Sequence, residues 1–232
     1  MKKLDSFTLK IIAIVTMLLD HIYTFLSPVG VNVPIWFGYL GKLAAPIFFY
    51  LIVEGFFHTR SRTKYLSRLA IFAVVMLGIN FVTEIHNNIF LSLSLSVLLL
   101  MVITQVKENK NIGIKILGII GVLLIGYLYM FTEASLYGLI MTLIFYFLRE
   151  KKAIMAIVYI LFSLLPVFTT IGAPDAFDQL FLFDYQWMMV FAIIPILMYN
   201  GKLGLKNTFT KWMFYIFYPL HLIIIYGISN LI

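Results

Sequence analysis

The sequence predicts an all-α integral membrane protein, a bundle of about nine transmembrane helices that forms a single domain over residues 1–232. Composition is the first reason. Hydrophobic residues make up 62% of the chain and charged residues only 12%, and the mean hydropathy is +1.02. The second reason is that long apolar runs follow one another with no stretch between them that would form a soluble domain. We therefore expect a multi-pass protein of the cell membrane.

Nine apolar stretches are long enough, or nearly so, to cross a bilayer. They cover residues 8–27, 35–57, 65–84, 89–106, 112–131, 135–148, 152–172, 185–200 and 211–231. The sixth and eighth are short, and we interpret them as tilted pairs, partial spans or spans shielded by their neighbours. Lysines precede the first stretch as in a signal peptide, but no small-residue cleavage site follows, so we expect a retained helix.

Basic residues test this number of spans, because lysine and arginine collect in cytoplasmic loops. With nine spans and a cytoplasmic N-terminus, every Lys and Arg except Lys42 falls on one side, and the C-terminus is extracytoplasmic. The inner face is then basic, which suits anionic lipid heads or a phosphate-rich donor such as coenzyme A. The outer face is acidic and would attract a cationic substrate, such as a free amine, from outside the cell. We therefore interpret the net charge of +7 as the result of basic cytoplasmic loops, and we expect no nucleic acid partner.

Three ionisable residues fall at one predicted depth in the first two spans. Asp20 and His21 lie six or seven residues before the outer end of the first span, and Lys42 lies about seven residues into the second. A short turn joins these spans, so they are expected to be antiparallel neighbours. Such groups are costly in lipid and indicate a functional site. An ion pair between Lys42 and Asp20, or a packing hydrogen bond, is the structural alternative.

Other candidates lie elsewhere in the chain. His221 follows Pro219 in the last span, where it is either functional or satisfied by a carbonyl that the proline frees. Glu54 ends the second span and His58 follows it, and both also fit an interfacial role. Cysteine is absent, so thiolate metal sites and cysteine nucleophiles are excluded, and no metal-binding spacing is present, so we expect no metal. Tyr23, Tyr39 and Tyr218 are candidates to line a cavity.

The chemistry of these residues supports two mechanisms. His21 is suited to remove a proton from an acceptor that attacks a thioester, with Asp20 or another acid orienting the imidazole and Lys42 stabilising the oxyanion. The same three groups would also serve a transporter as a proton relay. The residues alone do not separate the two.

Several segments in order resemble the TraX family over nearly the whole chain. They are LKIIAIVTMLLDHI at 9–22, GKLAAPIFFYLIVEGFFHTR at 41–60, KYLSRLAIFA at 64–73, NNIFLSLSLSVL at 87–98, LYGL at 136–139, YNGKLG at 199–204 and FYIFYPLHL at 214–222. The resemblance implies relation to polytopic acyltransferases that move acetyl from cytosolic acetyl-CoA to acceptors on the far side, with His21 in the place of their essential histidine. The type member of the family acetylates pilin subunits. This chain has Lys42 where the family usually has arginine, which keeps the charge and loses the bidentate fork.

Together these arguments predict a membrane-embedded acetyltransferase that uses acetyl-CoA as co-substrate. The predicted catalytic residues are His21, Asp20, Lys42 and His221, with His21 as general base or acyl relay. The predicted donor-binding residues are Arg60, Arg62, Lys64, Arg68 and Glu54. The acceptor is an extracytoplasmic amine or hydroxyl on a protein N-terminus, a glycan or a lipid. A proton-coupled transporter is the first alternative, and a non-catalytic assembly protein is the second.

Overall fold

The computed structural model describes residues 3–232, which fold into helices joined by turns, with one isolated backbone bridge between Leu4 and Tyr199. The helices are α1 (Ser6–Leu26), α2 (Trp36–Gly41), α3 (Ala44–His58), α4 (Arg62–Thr83), α5 (Ile89–Glu108), α6 (Ile112–Tyr129), α7 (Ser135–Phe147), α8 (Lys152–Ser163), α9 (Leu165–Thr170), α10 (Ala176–Asp178), α11 (Ile193–Leu197) and α12 (Thr208–Ser229). A π-helical turn, Gln179–Phe183, follows α10, and a 3₁₀ helix, Gln186–Ala192, precedes α11.

Seven helical segments in the described chain are long and apolar enough to cross a membrane. They are Ser6–Leu26, Trp36–His58, Arg62–Thr83, Ile89–Glu108, Ile112–Tyr129, Lys152–Thr170 and Thr208–Ser229, and each coincides with a predicted span. The other two predicted spans are the short helix α7 and one arm of a bent pair, Ala176–Phe183 and Gln186–Leu197, whose axes differ by 63°. The all-helical membrane class is confirmed. The number nine, the placement of the termini and the single domain stay predictions.

Polar residues at the ends of loops explain where several helices begin. The side chains of Asp5, Ser61, Asn88, Asn111 and Asn207 each accept a hydrogen bond from a backbone N–H in the first turn of the helix that follows. These first-turn donors have no partner within the helix, so the caps satisfy them. The hydrogen bond that the Thr8 backbone N–H donates to the Asp5 carboxylate also lowers the pKa of Asp5. The capping side chains therefore determine where these helices begin, whereas the apolar runs in the sequence locate the ends only approximately.

The chain divides into two compact units, and helix α3 contributes residues to both. The first comprises residues 3–48 and 148–232. Within it α1 and α12 run in the same direction, because Phe7 contacts Phe214 near their N-terminal ends and His21 contacts His221 further along. Backbone hydrogen bonds between residues 4–7 and residues 198–203 join the start of α1 to the loop that precedes α12.

The second unit comprises residues 49–147 and has α5 as its buried centre. The serines of its LSLSLS segment face inward: Ser92 and Ser96 are fully buried. The Tyr129 hydroxyl donates a hydrogen bond of 2.8 Å to the Ser92 carbonyl and contacts the Ser96 hydroxyl, which lies 3.1 Å from that of Thr142. Small hydroxyl side chains let membrane helices approach closely and bond across their interface. These serines thus have a role in helix packing within this unit.

Replacing Tyr129 with phenylalanine is expected to lower the free energy of unfolding by about 1–2 kcal/mol, because the Ser92 carbonyl and the Ser96 hydroxyl lose a buried partner. Thermal unfolding in a mild detergent measures the change. Tyr127 on the same helix is 58% exposed, so Tyr127→Phe should leave the midpoint unchanged. Equal midpoints for both variants would contradict the structural role of the hydroxyl.

Candidate functional site

The predicted site residues fall into two groups, one in each unit. In the first unit, Asp20 and His21 are neighbours in sequence, but their side chains leave α1 about 100° apart. Each therefore has a different partner. Asp20 pairs with Lys42 and His21 with His221. The structure thus brings together all four of the predicted catalytic residues as two pairs, and the bond that orients His21 comes from His221.

The two histidines form a buried pair between α1 and α12. Nδ1 of His21 lies 2.6 Å from Nε2 of His221, and the imidazole planes are 12° apart with their centres separated by 4.9 Å. Their exposed fractions are 3% and 5%. Tyr218 contacts both rings edge-on, and Phe217 stacks on His221. Buried polar rings need hydrogen-bond partners, and each of these two rings has one in the other.

A backbone carbonyl determines which nitrogen carries each proton. Nδ1 of His221 lies 2.7 Å from the Phe217 carbonyl one turn earlier. A carbonyl only accepts, so this Nδ1 donates, and in the neutral imidazole Nε2 is then an acceptor. It follows that Nδ1 of His21 donates to His221. Nε2 of His21 is left with a free lone pair, and this atom is the basic nitrogen of the pair.

Asp20 and Lys42 form an ion pair between α1 and the end of α2. The Lys42 ammonium lies 3.2 Å from Oδ1 of Asp20, and both side chains are about one quarter exposed. The predicted contact between the first two spans is present in this pair. This bond uses one of the three N–H groups of the ammonium.

Gly41 allows this close approach of α1 and α2. A Cβ built at Gly41 would overlap the Cβ and the carboxylate of Asp20. Any side chain there would push the two helices apart or displace the carboxylate from Lys42. A glycine at this contact is consistent with the small residues that membrane helix interfaces require.

We expect Gly41→Ala to destabilise the protein by about 1–3 kcal/mol, because overpacking at a tight contact forces the backbone to shift. Gly227→Ala is the comparison, since Gly227 lies in α12 and a Cβ there meets no other atom within 4 Å. Thermal unfolding in detergent would show a lowered midpoint for Gly41→Ala and an unchanged or raised one for Gly227→Ala. Identical midpoints would mean that α1 and α2 are not in close contact at Asp20.

Sequence reasoning did not single out Tyr185. It lies at the bend between Phe183 and Gln186, and its ring faces the Lys42 ammonium at 5.2 Å from the ring centre. Tyr23 and Tyr39, which the sequence suggested as cavity-lining residues, contact the Tyr185 ring edge-on. No local signal in the sequence identifies Tyr185, since its position depends on how the bent segment packs against α2.

The predicted donor-binding residues lie at the corner between α3 and α4 in the second unit. Glu54 is buried, and its Oε2 lies 3.9 Å from Nδ1 of His58, which also bonds the Glu54 carbonyl at 2.8 Å. Arg62 stacks on the Phe56 ring at 4.2 Å, and Arg68 lies 5.8 Å from the centre of the Tyr65 ring. Nε of Arg68 is buried and makes no hydrogen bond in the described chain.

Arg60 and Lys64 flank the same corner. Arg60 is exposed in the turn before α4, and Lys64 is exposed in the first turn of that helix, where its backbone N–H bonds the Ser61 hydroxyl at 3.3 Å. Within residues 3–232, no three His, Asp or Glu side chains lie close enough together to hold a metal ion.

The fold and these groups define a class of protein, an α-helical multi-pass membrane protein with ionisable side chains placed inside its helix bundle. Comparison with known families then identifies it more closely. The family described as TraX protein matches residues 6–229, and the chain belongs to the TraX family. It is also similar to a probable fimbrial assembly protein, FimC of serogroup H1, from Dichelobacter nodosus, with 27% identity over an alignment of 250 positions, gaps included, that spans 94% of this chain and 93% of the relative. No solved structure matches the chain significantly.

Proposed function

We propose that this TraX-family protein is a membrane-embedded acyltransferase that moves an acetyl group from cytosolic acetyl-CoA to an extracytoplasmic amine or hydroxyl. The observation that carries this proposal is the hydrogen-bonded series from the Phe217 carbonyl through His221 to His21. It leaves Nε2 of His21 as a positioned base. An oriented imidazole of this kind is the usual means of activating a weak nucleophile.

The reaction follows from the groups at the site. Nε2 of His21 accepts the proton of the acceptor as its oxygen or nitrogen attacks the thioester carbonyl. The carbonyl oxygen becomes negative, and the Lys42 ammonium stabilises it. The tetrahedral intermediate collapses, the C–S bond breaks, and the coenzyme A sulfur leaves with the proton from His21. In a covalent route Nε2 attacks the thioester carbonyl, the C–S bond breaks, and coenzyme A leaves as the thiolate. The acceptor oxygen or nitrogen then attacks the acyl carbon of the acyl-imidazolium, the C–N bond breaks, and the acceptor proton passes through the released Nε2 to the thiolate.

Asp20 has a supporting role in this proposal. Its carboxylate holds the Lys42 ammonium within the helix pair at 3.2 Å. A lysine without a partner would extend its long side chain toward the membrane surface. His221 orients His21 through the tautomer that its own helix imposes.

The topology that we propose has nine spans, a cytoplasmic N-terminus and an extracytoplasmic C-terminus in the cell membrane. The parallel direction of α1 and α12 supports an odd number of crossings, since both helices then begin on the same side. The distribution of lysine and arginine supports the cytoplasmic placement of that side.

Acetyl-CoA is proposed to bind at the cytoplasmic corner formed by α3 and α4. Arginine is well suited to phosphate through its planar fork of donors. Nε of Arg68 is buried without a hydrogen-bond partner in the described chain, so a phosphate oxygen bound at this corner would satisfy it, and Arg60, Arg62 and Lys64 add positive charge. Glu54 is proposed to line the same site.

The acceptor is proposed to be a protein N-terminus, a glycan or a lipid outside the membrane. The name of the Dichelobacter nodosus relative refers to fimbrial assembly. A fimbrial subunit is therefore the first protein acceptor that we would test for this chain.

The experiment that tests the proposal is turnover of radiolabelled acetyl-CoA by the purified protein in detergent and in proteoliposomes. Release of coenzyme A, together with label on an added amine or hydroxyl acceptor or on the protein itself, would support the acyltransferase. Folded protein that neither binds nor turns over acetyl-CoA would contradict it. Uptake driven by a proton gradient would favour the transporter, and normal function after His21→Ala would favour an assembly protein.

A further inference from the structure

Tyr185 is fixed over the Lys42 ammonium by contacts from two directions. The bent segment that carries it is tied to α2 by the Tyr39 hydroxyl, which donates a hydrogen bond of 2.5 Å to the Phe181 carbonyl. Trp187 closes the bend by donating from its indole N–H to the Leu180 carbonyl at 2.9 Å. The position of the ring is therefore determined by hydrogen bonds on both sides of the bend.

Gly38 provides the space that the Tyr185 side chain occupies. A Cβ at Gly38 would overlap the Tyr185 hydroxyl and its ring carbon. Gly38 and Gly41 lie three residues apart on α2, so the same face of this short helix accepts Tyr185 at one position and Asp20 at the other. The ammonium of Lys42, which follows Gly41, lies 3.2 Å from Oδ1 of Asp20 and 5.2 Å from the centre of the Tyr185 ring.

A lysine near the surface of a membrane needs such contacts to stay in place. The four-carbon stem of lysine allows the ammonium to move toward water, and this movement is normally favourable. A single exposed ion pair would oppose it only weakly, because such pairs contribute little when water reaches them. An aromatic face adds an attraction for the cation that is stronger where water is partly excluded.

We propose that Tyr185 is a positioning residue, which uses its ring face to hold the Lys42 ammonium beside Asp20, where it meets the developing negative charge of the transferred acyl group. The proposal rests on the acyltransferase function proposed above. It assigns the bent segment a role in the reaction, since this segment places the ring. The ring is required and the hydroxyl is not, because the cation contacts the face of the ring.

The first test compares the kinetics of three variants in acetyl transfer. Tyr185→Leu removes the ring and is expected to lower kcat about tenfold with little change in the KM for acetyl-CoA, whose phosphates bind elsewhere. Tyr185→Phe keeps the ring face and is expected to retain the kcat of the wild type. Phe183→Leu is the control, because Phe183 lies on the same bent segment and is 78% exposed. Equal kcat for Tyr185→Leu and the wild type would overturn the proposal. A kcat of Tyr185→Phe as low as that of Tyr185→Leu would overturn it as well.

The second test needs no enzymatic activity. Lysines of the full protein are dimethylated with ¹³C, which keeps their charge, and the Lys42 signal is assigned by its loss in Lys42→Arg. The ring current of Tyr185 should shift this signal upfield in the wild type and in Tyr185→Phe but not in Tyr185→Leu. The same chemical shift in all three would overturn the positioning role. An inactive wild-type protein with the expected shifts would instead contradict the acyltransferase function and leave Tyr185 as the residue that holds Lys42.

Discussion

Replacing His21 with alanine is expected to lower acetyl transfer by about 10²- to 10⁴-fold, which is the range found when a general base is removed. Nε2 of His21 is the only basic nitrogen that the His21–His221 pair leaves free, so no other atom of the pair can accept the proton in its place. Coenzyme A release and acceptor labelling measure the loss. The protein should remain folded, as judged by its elution in detergent and its thermal midpoint.

The control for this prediction is His86→Ala. His86 is exposed and lies outside the site, so its replacement should leave the rate unchanged. Activity of His21→Ala equal to that of His86→Ala would place the chemistry elsewhere in the protein.

His221 provides a second check on the same prediction. In His221→Phe the acceptor of the His21 Nδ1 proton is lost, and the tautomer of His21 is no longer imposed. ¹⁵N spectra of histidine-labelled protein should then show His21 as a mixture of tautomers, whereas the wild type should show the Nδ1-protonated form. A wild-type protein with His21 protonated at Nε2 would contradict the hydrogen-bond order derived from the Phe217 carbonyl.

The second large effect is expected for Lys42. Lys42→Ala should lower kcat about 10²- to 10³-fold, the loss seen when one donor to an oxyanion is removed. Lys42→Arg should retain part of the rate because it keeps the charge with a different geometry. Lys206→Ala in the exposed loop before α12 should have no effect.

Loss of Lys42 also leaves Asp20 without its cation, so instability must be separated from catalysis. The double variant Asp20→Asn with Lys42→Met removes both charges and should recover stability, because a neutral pair is not costly to bury. The double variant should nevertheless stay inactive. Recovery of activity together with stability would show that the ion pair only supports the fold.

Apolar periodicity and charge predicted much of this molecule. Every predicted span overlaps a helical segment, and the two stretches that are short for a span, 135–148 and 185–200, correspond to the short helix α7 and to the second arm of the bent pair. This succeeds because the bilayer requires each crossing segment to satisfy its own backbone hydrogen bonds, so spans are visible in the sequence one at a time. The free-energy cost of an ionisable group in lipid likewise identified four candidate site residues, Asp20, His21, Lys42 and His221.

The pairing of those four residues was decided by the tertiary structure alone. Sequence proximity suggested that Asp20 orients His21, but the 100° step of the helix sends the two side chains to different neighbours. His221 lies 200 positions away and reaches His21 only because α1 and α12 pack side by side. The position of the Tyr185 ring over Lys42 likewise depends on how the bent segment packs against α2. The sequence by itself determined which segments enter the membrane and which of their residues are costly there, because these are local properties. Partners and tautomers depend on helix packing, which no local pattern encodes.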